Sequence, residues 1–508
     1  MRQAIDHTDT VARLRARGVC VVIPTYNNVS TIGVVVRSVL EYCHDVIVVN
    51  DGSTDGADSV LGQIEGISVV TLERNRGKGY ALREGFEAAR KKGFGYAITM
   101  DGDGQHYAKD IATMLRANER HPGALIIGRR RMDEVERSSG SRFANKFSNF
   151  WFWVQTGLRV DDTQSGYRLY PLRRLHGLSL LTSRYEAEVE LLVMAAWHGV
   201  EIVSEDVDVY YPPEEERVSH FRPAADFGRI SMLNTVLCIL AIVYGLPLRL
   251  YRTIRALTAT IYTLMFFVVG STLVMAPCGL ALRLKRRGEE SYRRLILKAS
   301  RITVRGLFRW PKKGGPYKGI PGARIYVKGA DAVGEVPSVI ICNHQAYFDL
   351  MCQLIMTHKM VFMTNDWVWN SPFFGKIIRR AGYLHAGDGI DALMPKMRRA
   401  VENGCSIAIY PEGTRSVDMS IGRFHQGAFH IAQELGLPIT PMYIYGMGRI
   451  LGKGRKLMSR GPVVIEVGEP ISRAELSAMG DELAQARELR RRYTAKIREM
   501  SDRIERNG

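Results

Sequence analysis

Five short apolar runs, each rich in β-branched residues and each cut off by a polar cluster, leave little freedom in how the first half of this chain can fold. They are VCVVIP at 19–24, VIVVN at 46–50, ISVVTL at 67–72, YAITM at 96–100 and ALIIG at 124–128. A run of this kind, without polar alternation, suits a strand covered on both faces. The sequence between the runs is helical or turn-rich, so strand and helix alternate, and the economical arrangement is a doubly wound α/β sheet. Ligands bind such sheets beyond the carboxyl ends of the strands. Those ends carry TYNN from Thr25, DGSTD from Asp51 and DGDGQH from Asp101.

Asp101 and Asp103, separated by one glycine, fall on nearly the same side of an extended segment, and Gly102 lets the backbone approach a ligand closely. That pattern suits one Mg²⁺ or Mn²⁺ bridging a diphosphate, with Gln105 as a neighbouring oxygen ligand. DGDG is also an ordinary turn sequence. The order PTYNN, NDGSTD, NRGKGYAL, MDGDGQH, all at strand ends, favours the metal. In that combination residues 18 to 232 resemble family 2 glycosyltransferases, especially the polyprenyl-phosphate (dolichol-phosphate mannose synthase) branch. The resemblance implies a glycosyltransferase A type fold, a nucleotide-sugar donor and a lipid-linked acceptor. It places Asp51, Asp101, Pro24 and Asn75 on the nucleotide sugar, the metal diphosphate on Asp101, Asp103 and Gln105, and Asp103 in catalysis. Asn50 stands where the family more often has an aspartate.

GRRR at 128–131, DDTQSGYR at 161–168 and SHFRP at 219–223 also look like that branch. Arg129 and Arg168 are candidates to grip an anionic acceptor, because a guanidinium offers phosphate a bidentate fork. For Arg130 and Arg131 a solvated basic face is an equal alternative. Glu186 and Glu188, two apart in a helix, do not share a face and receive no role. No general base is assigned in this half.

The second half has its own chemistry. PSVIICNHQAYFD at 337–349 is a strand-like run delivering Asn343 and His344, with Asp349 five residues beyond the histidine. On one regular helix the two side chains would diverge by about 140°, so they cooperate only if His344 sits on the turn before the helix. An aspartate on one imidazole nitrogen fixes the tautomer and lets the other nitrogen take a proton from a hydroxyl. A further run, SIAIY at 406–410, delivers PEGTR, in which Gly413 permits close approach and Arg415 offers a clamp. The two motifs, with LPITPMYIYG at 437–446, resemble the lysophosphatidate (glycerolipid) acyltransferase family over about 300 to 475. By that resemblance His344 is the general base and Asp349 its orienter. Glu412, Gly413, Thr414 and Arg415 bind the acceptor, the donor is acyl-CoA or acyl carrier protein, and no cofactor is needed. Where the family offers an arginine for the acceptor, this chain reads AGYLHAGDG, with His385 and Asp388, so a glycolipid or another lipid alcohol is an alternative acceptor.

At 508 residues the chain exceeds a single core. Its net charge of +18 calls for an anionic partner, and long apolar segments without a nucleic-acid motif favour a membrane over nucleic acid. Two such segments, 231–248 and 256–282, flank Arg249, Arg252 and Arg255; LKRRG follows the second. Two full crossings would place the first arginines outside, against the positive-inside tendency. The expectation is therefore an interfacial or re-entrant hairpin bent near Pro277, with a buried hairpin of a soluble protein as the alternative. Seven scattered cysteines and an N-terminus lacking a secretory pattern point to the cytoplasm, and the fusion resembles those accompanying bacterial outer-membrane glycolipids or aryl-polyene and flexirubin-type pigment lipids, which implies the cytoplasmic face of a bacterial inner membrane. The expected divisions are 1–227, 228–290, 291–475 and a basic amphipathic helix from 476 to 508. The expected function is a bifunctional enzyme of lipid modification. The alternatives are a chain with one active domain, and a non-catalytic scaffold that binds lipid and nucleotide.

Overall fold

The computed structural model describes residues 7–130, 139–178, 180–210, 223–307, 323–330, 333–346, 348–372, 375–416, 419–459 and 461–507. Two compact units divide the chain: Met1–Arg252 with Glu505–Gly508, and Thr253–Ile504. The division falls inside the apolar middle, which is shared between the units and does not form a third one.

In the first unit the strands are β1 (Val19–Thr25), β2 (Val46–Asn50), β3 (Ile67–Thr71), β4 (Tyr96–Thr99), β5 (Leu125–Arg130), β6 (Arg168–Pro171) and β7 (Ile202–Val207), in the order β3-β2-β1-β4-β6-β5-β7. All pairs are parallel except those made by β6, which runs antiparallel to β4 and β5. The absence of polar alternation in the strands has a direct cause. Val19, Val21, Ile23, Val46 and Val48 pack on one face with Ile32, Val35, Ile111 and Met114 from helices Val29–Leu40 and Ile111–Arg120. Cys20, Val22, Ile47 and Val49 pack on the other with Ala81, Leu82, Leu191 and Leu192 from helices Lys78–Lys91 and Glu186–Trp197. Both faces are dry, as in doubly wound sheets. Strands β6 and β7 are additions that the apolar runs did not announce.

The second unit is built on β8 (Ala323–Lys328), β9 (Val339–Cys342), β10 (Met360–Thr364), β11 (Leu384–His385), β12 (Ser406–Ile409), β13 (Ile439–Tyr445) and β14 (Gly461–Val467), ordered β11-β10-β12-β9-β13-β14-β8. Only β13 and β14 pair antiparallel. The helix Glu482–Asn507 lays Ala486, Leu489, Tyr493, Ile497 and Met500 into this core. Its Tyr493 hydroxyl donates to Ile341 O and accepts from Met442 N. The basic amphipathic helix expected at the end of the chain thereby covers this domain.

The middle of the chain is helical from 223 to 284, with π-helical stretches at Ala241–Gly245 and Gly270–Met275. The expected reversal near Pro277 is not there. Pro277 sits in the first turn of helix Ala276–Leu284, where the preceding π-helical stretch accommodates its missing N–H. The chain turns instead at 285–288, where Arg286 has φ +49°, and helix Glu289–Leu307 packs back with the Tyr292 hydroxyl 3.5 Å from Gly279 O. Among the described residues, Gly228–Met265 is the one helix long and apolar enough to cross a membrane. Leu233 and Leu237 face the first unit's core, whereas Met232, Val236, Ile239, Ile242 and Val243 are exposed. Arg249 donates to Thr156 O and Arg252 to Trp197 O, the terminal carbonyls of helices Ser139–Thr156 and Glu186–Trp197.

Candidate active sites

In the first unit the carboxyl ends of β1, β2 and β4 meet a loop running from Leu72 to Gly77. Asp51 is buried at the end of β2, and its two oxygens accept from Arg76 N at 2.7 Å and Gly77 N at 2.8 Å. Burial pushes its pKa above the usual carboxylate value, against those two hydrogen bonds. Gly52, at φ +69°, has no room for a side chain: a Cβ would lie 2.5–2.7 Å from the backbone of Arg74 and Asn75. The DGS turn is thereby nested on the loop. Asn75 is exposed on that loop, and Pro24 is buried within β1 opposite Val49. Pro24 thus sits one residue before the carboxyl end of β1, the end at which such sheets bind ligands. Asn50 also turns inward, its amide donating to Asp58 and its oxygen accepting from Ser53 N.

Beyond β4 the DGDGQH turn gathers charge. Lys78, at the first turn of helix 78–91, places Nζ 2.7 Å from Asp101 Oδ1 and 2.9 Å from Glu188 Oε2. Burial opposes the charge on both Lys78 and Asp101, but their pairing wins: the lysine is raised and the aspartate lowered. Asp103 has no such partner. Burial, and then the charge of Asp101, push it up to about 6. Gln105 N donates to Asp103 Oδ1, and His106 Nδ1 accepts from Asp101 N at 3.4 Å. Burial pushes His106 down to about 4, so it stays neutral, its ring stacked on Tyr167 at 5.0 Å. Gly166 lies against this group, since a Cβ there would fall 2.6 Å from Asp101 Oδ2 and 2.9 Å from Lys78 Nζ.

The two arginines expected to grip an anion are placed otherwise. Arg168 is fully buried, and its guanidinium donates to Ser165 O, Thr163 O and Glu188 O. It braces the 161–168 loop against helix 186–197. Arg129 is exposed but already paired, 2.7 Å from both Asp161 and Asp206. Arg130 forms a bidentate pair with Asp162. Arg131 and residues 219–222 lie outside the described residues.

In the second unit, Asn343 extends the pairing of β9 with β13 by one step: its amide donates to Ile444 O and its oxygen accepts from Ile444 N, both at 2.8 Å. The chain is thus held up to the point where it turns, and His344 occupies the turn, five residues before the helix Asp349–Leu354 is entered at Asp349. His344 Nδ1 lies 2.9 Å from Asp349 Oδ2, which also accepts from Gln345 N at 2.5 Å and Ala346 N at 2.7 Å. Asp349 is fully buried, and its other oxygen has no hydrogen-bond partner among the described residues. This arrangement presents Nδ1 as the donor and leaves the lone pair on Nε2. The Tyr410 ring stacks on the imidazole at 4.2 Å and 24°.

The PEGTR turn after β12 supports the same histidine. Glu412 is buried, and its oxygens accept from His344 N at 2.8 Å and Gly422 N at 2.7 Å. Burial raises its pKa, only partly offset by these bonds. With both oxygens so engaged, Glu412 supports the His344 turn. Ser416 N donates to His344 O, closing the loop over it. Gly413, at φ +64°, and Thr414 are exposed, and Arg415 is half-buried beside them.

Lys78, Glu188, His106 and Tyr410 were not singled out from the sequence. Lys78 had a signal, the NRGKG string at a strand end. The i, i+2 spacing of Glu186 and Glu188 concealed that Glu188 reaches a residue on a different helix.

Comparison with known proteins follows the same division. The family model described as glycosyl transferase family 2 matches residues 20–170, and that described as acyltransferase matches 324–445. An uncharacterized protein of Methanocaldococcus jannaschii is 30% identical over 38% of this chain and 81% of its own length. A UDP-N-acetylglucosamine–dolichyl-phosphate N-acetylglucosaminyltransferase of Methanococcus voltae is 27% identical over 37% of this chain and 84% of its own. In the second half, a chloroplastic 1-acyl-sn-glycerol-3-phosphate acyltransferase of Brassica napus is 29% identical over 29% of this chain and 44% of its own length. The chain thus spans less than half the length of that acyltransferase relative.

Proposed function

Because the chain belongs to glycosyl transferase family 2 through its first half and carries an acyltransferase-family domain in its second, we propose that one polypeptide catalyses two transfers in lipid modification. The first moves a sugar from a nucleotide sugar to a lipid-linked acceptor, such as a polyprenyl phosphate. The second moves an acyl chain from acyl-CoA or acyl carrier protein to a lipid hydroxyl. The observation that carries the reading is the pairing of His344 with buried Asp349 in one unit and the Asp101–Asp103 turn in the other, each at the carboxyl end of parallel strands.

In the glycosyltransferase half, Asp101, Asp103 and Gln105 would hold Mg²⁺ or Mn²⁺. Among the described residues no cluster of three or more histidine, cysteine or acidic side chains is placed to enclose a metal. Two carboxylates and an amide suit instead a hard ion that completes its shell with diphosphate oxygens. The donor set supports the fit: Asp103 is held up to about 6 by burial and a like charge, a repulsion that a cation relieves. The metal would neutralise charge on the departing nucleoside diphosphate. Lys78 fixes Asp101, and Asp51 holds the loop that carries Asn75 toward the nucleotide.

In the acyltransferase half, His344 takes the proton of the acceptor hydroxyl at Nε2, the hydroxyl oxygen attacks the thioester carbonyl, and the C–S bond breaks as the departing thiolate takes the proton back from the imidazolium. Asp349 keeps the imidazole in the required tautomer and stabilises the imidazolium. Arg415, Thr414 and the backbone at Gly413 would meet the acceptor. The protein works at a lipid surface, on the cytoplasmic face of a bacterial inner membrane. The exposed apolar residues of 228–265 support this, and the bonds from Arg249 and Arg252 favour a helix lying along the first unit over one that crosses at those residues. Detergent-purified protein supplied with labelled sugar nucleotides, acyl-CoA and lipid extract tests both transfers; failure of either label to enter lipid removes that half of the reading.

A further inference from the structure

The stacking of Tyr410 on His344 stands apart from the hydrogen bonds that hold the histidine. The ring centroids are 4.2 Å apart and the planes 24° from parallel, so an aromatic face covers one side of the imidazole. The Asp349 bond fixes where Nδ1 points but leaves rotation about that bond free; a stacked ring removes it. A cation over an aromatic face is also favoured by the ring quadrupole, and His344 becomes a cation when it accepts the hydroxyl proton. The Tyr410 hydroxyl, by contrast, is buried and has no hydrogen-bond partner among the described residues. Only the ring is positioned to act on His344.

We propose that Tyr410 is a positioning residue for acyl transfer, its ring face fixing the plane of His344 and favouring the imidazolium that forms as the acceptor hydroxyl is deprotonated. This rests on His344 being the general base. Among the described residues the charged groups facing the imidazole are Asp349 from helix 349–354 and Glu412 from the turn after β12; both are kept in every variant below. The hydroxyl of Tyr410 is dispensable, and its loss removes a buried donor that the fold leaves unpaired.

The test is acyl transfer by the full chain in detergent, with palmitoyl-CoA as donor and both lysophosphatidate and native lipid extract as acceptors, measured from pH 5 to 9. Tyr410→Phe keeps the ring and should hold kcat within about twofold, with an unchanged pH profile. Tyr410→Leu and Tyr410→Met lose the ring; kcat should fall about tenfold or more, KM should hold, and the acid limb should move about half a unit to lower pH. The flexible methionine guards against a leucine variant that does not fold. The proposal is overturned if the methionine variant keeps both wild-type kcat and acid limb, or if Phe falls as far as Met. His344→Ala separates the two levels. Transfer that survives His344→Ala, or is absent from the wild type, sinks the assignment of the base and the proposal with it, whereas a dead His344→Ala beside an unaffected Tyr410→Met sinks the proposal alone.

Discussion

The ammonium of Lys78 stands 2.7 Å from Asp101 Oδ1, and Gly166 is packed so closely on the pair that even a methyl group would touch both. Asp101, the carboxylate proposed for the metal, is therefore set by a lysine from one helix and a glycine from a distant loop. Gly166→Ala would push Asp101 aside. Glycosyl transfer should fall at least about tenfold, with a stability loss of about 1–3 kcal/mol read by thermal melting, and acyl transfer should be unchanged. Normal sugar transfer by this variant would show that Asp101 tolerates displacement.

Asp103 gives the first half a pH dependence of definite sign. Its carboxyl is pushed up to about 6 in the metal-free protein, and only the ionised form binds a divalent cation. Mn²⁺ affinity should be nearly flat above pH 7 and fall by about tenfold per pH unit below 6. Calorimetric titration at pH 5, 6 and 7 checks this, and Asp103→Asn should abolish both the binding and its pH dependence.

Arg168 is predicted to matter for folding. Replacing it with methionine fills much of the volume but leaves Thr163 O, Ser165 O and Glu188 O without their donor. The expected loss is about 2–4 kcal/mol in denaturant unfolding. A variant that melts like the wild type yet fails to bind the lipid acceptor would restore the clamp reading.

Much of the fold was legible because its signals are local. The apolar runs marked β1 to β5, β9 and β12, and the turn before Asp349 was required by the five-residue spacing itself. What escaped was set by tertiary contact. Strand β6 is short and opens with an arginine that its own sequence marks as a surface residue; only the packing of helix 186–197 makes Arg168 an internal one. Glu412 sits in a motif whose resemblance pointed to the acceptor, while its oxygens are taken up by backbone amides from two other segments. Pro277 looked like a bend because proline interrupts helices, but here it follows the π-helical stretch Gly270–Met275, which accommodates its missing N–H.

Glu412 yields a prediction of its own. Glutamine at this position can accept only one of the two backbone N–H bonds and turns an NH₂ toward the other donor. Glu412→Gln should cost about 1–3 kcal/mol and reduce acyl transfer through kcat, because the His344 turn loses its support. Loss confined to KM, with stability retained, would indicate direct contact with the acceptor.

The most direct test of two independent active sites in one chain is a dual-label transfer assay. Wild type, Asp103→Asn and His344→Ala are incubated in detergent with lipid extract, Mn²⁺, tritiated nucleotide sugars and ¹⁴C-acyl-CoA. Both labels should enter lipid with the wild type, only the acyl label with Asp103→Asn, and only the sugar label with His344→Ala. Neither label entering lipid, or both persisting in either variant, would contradict the account.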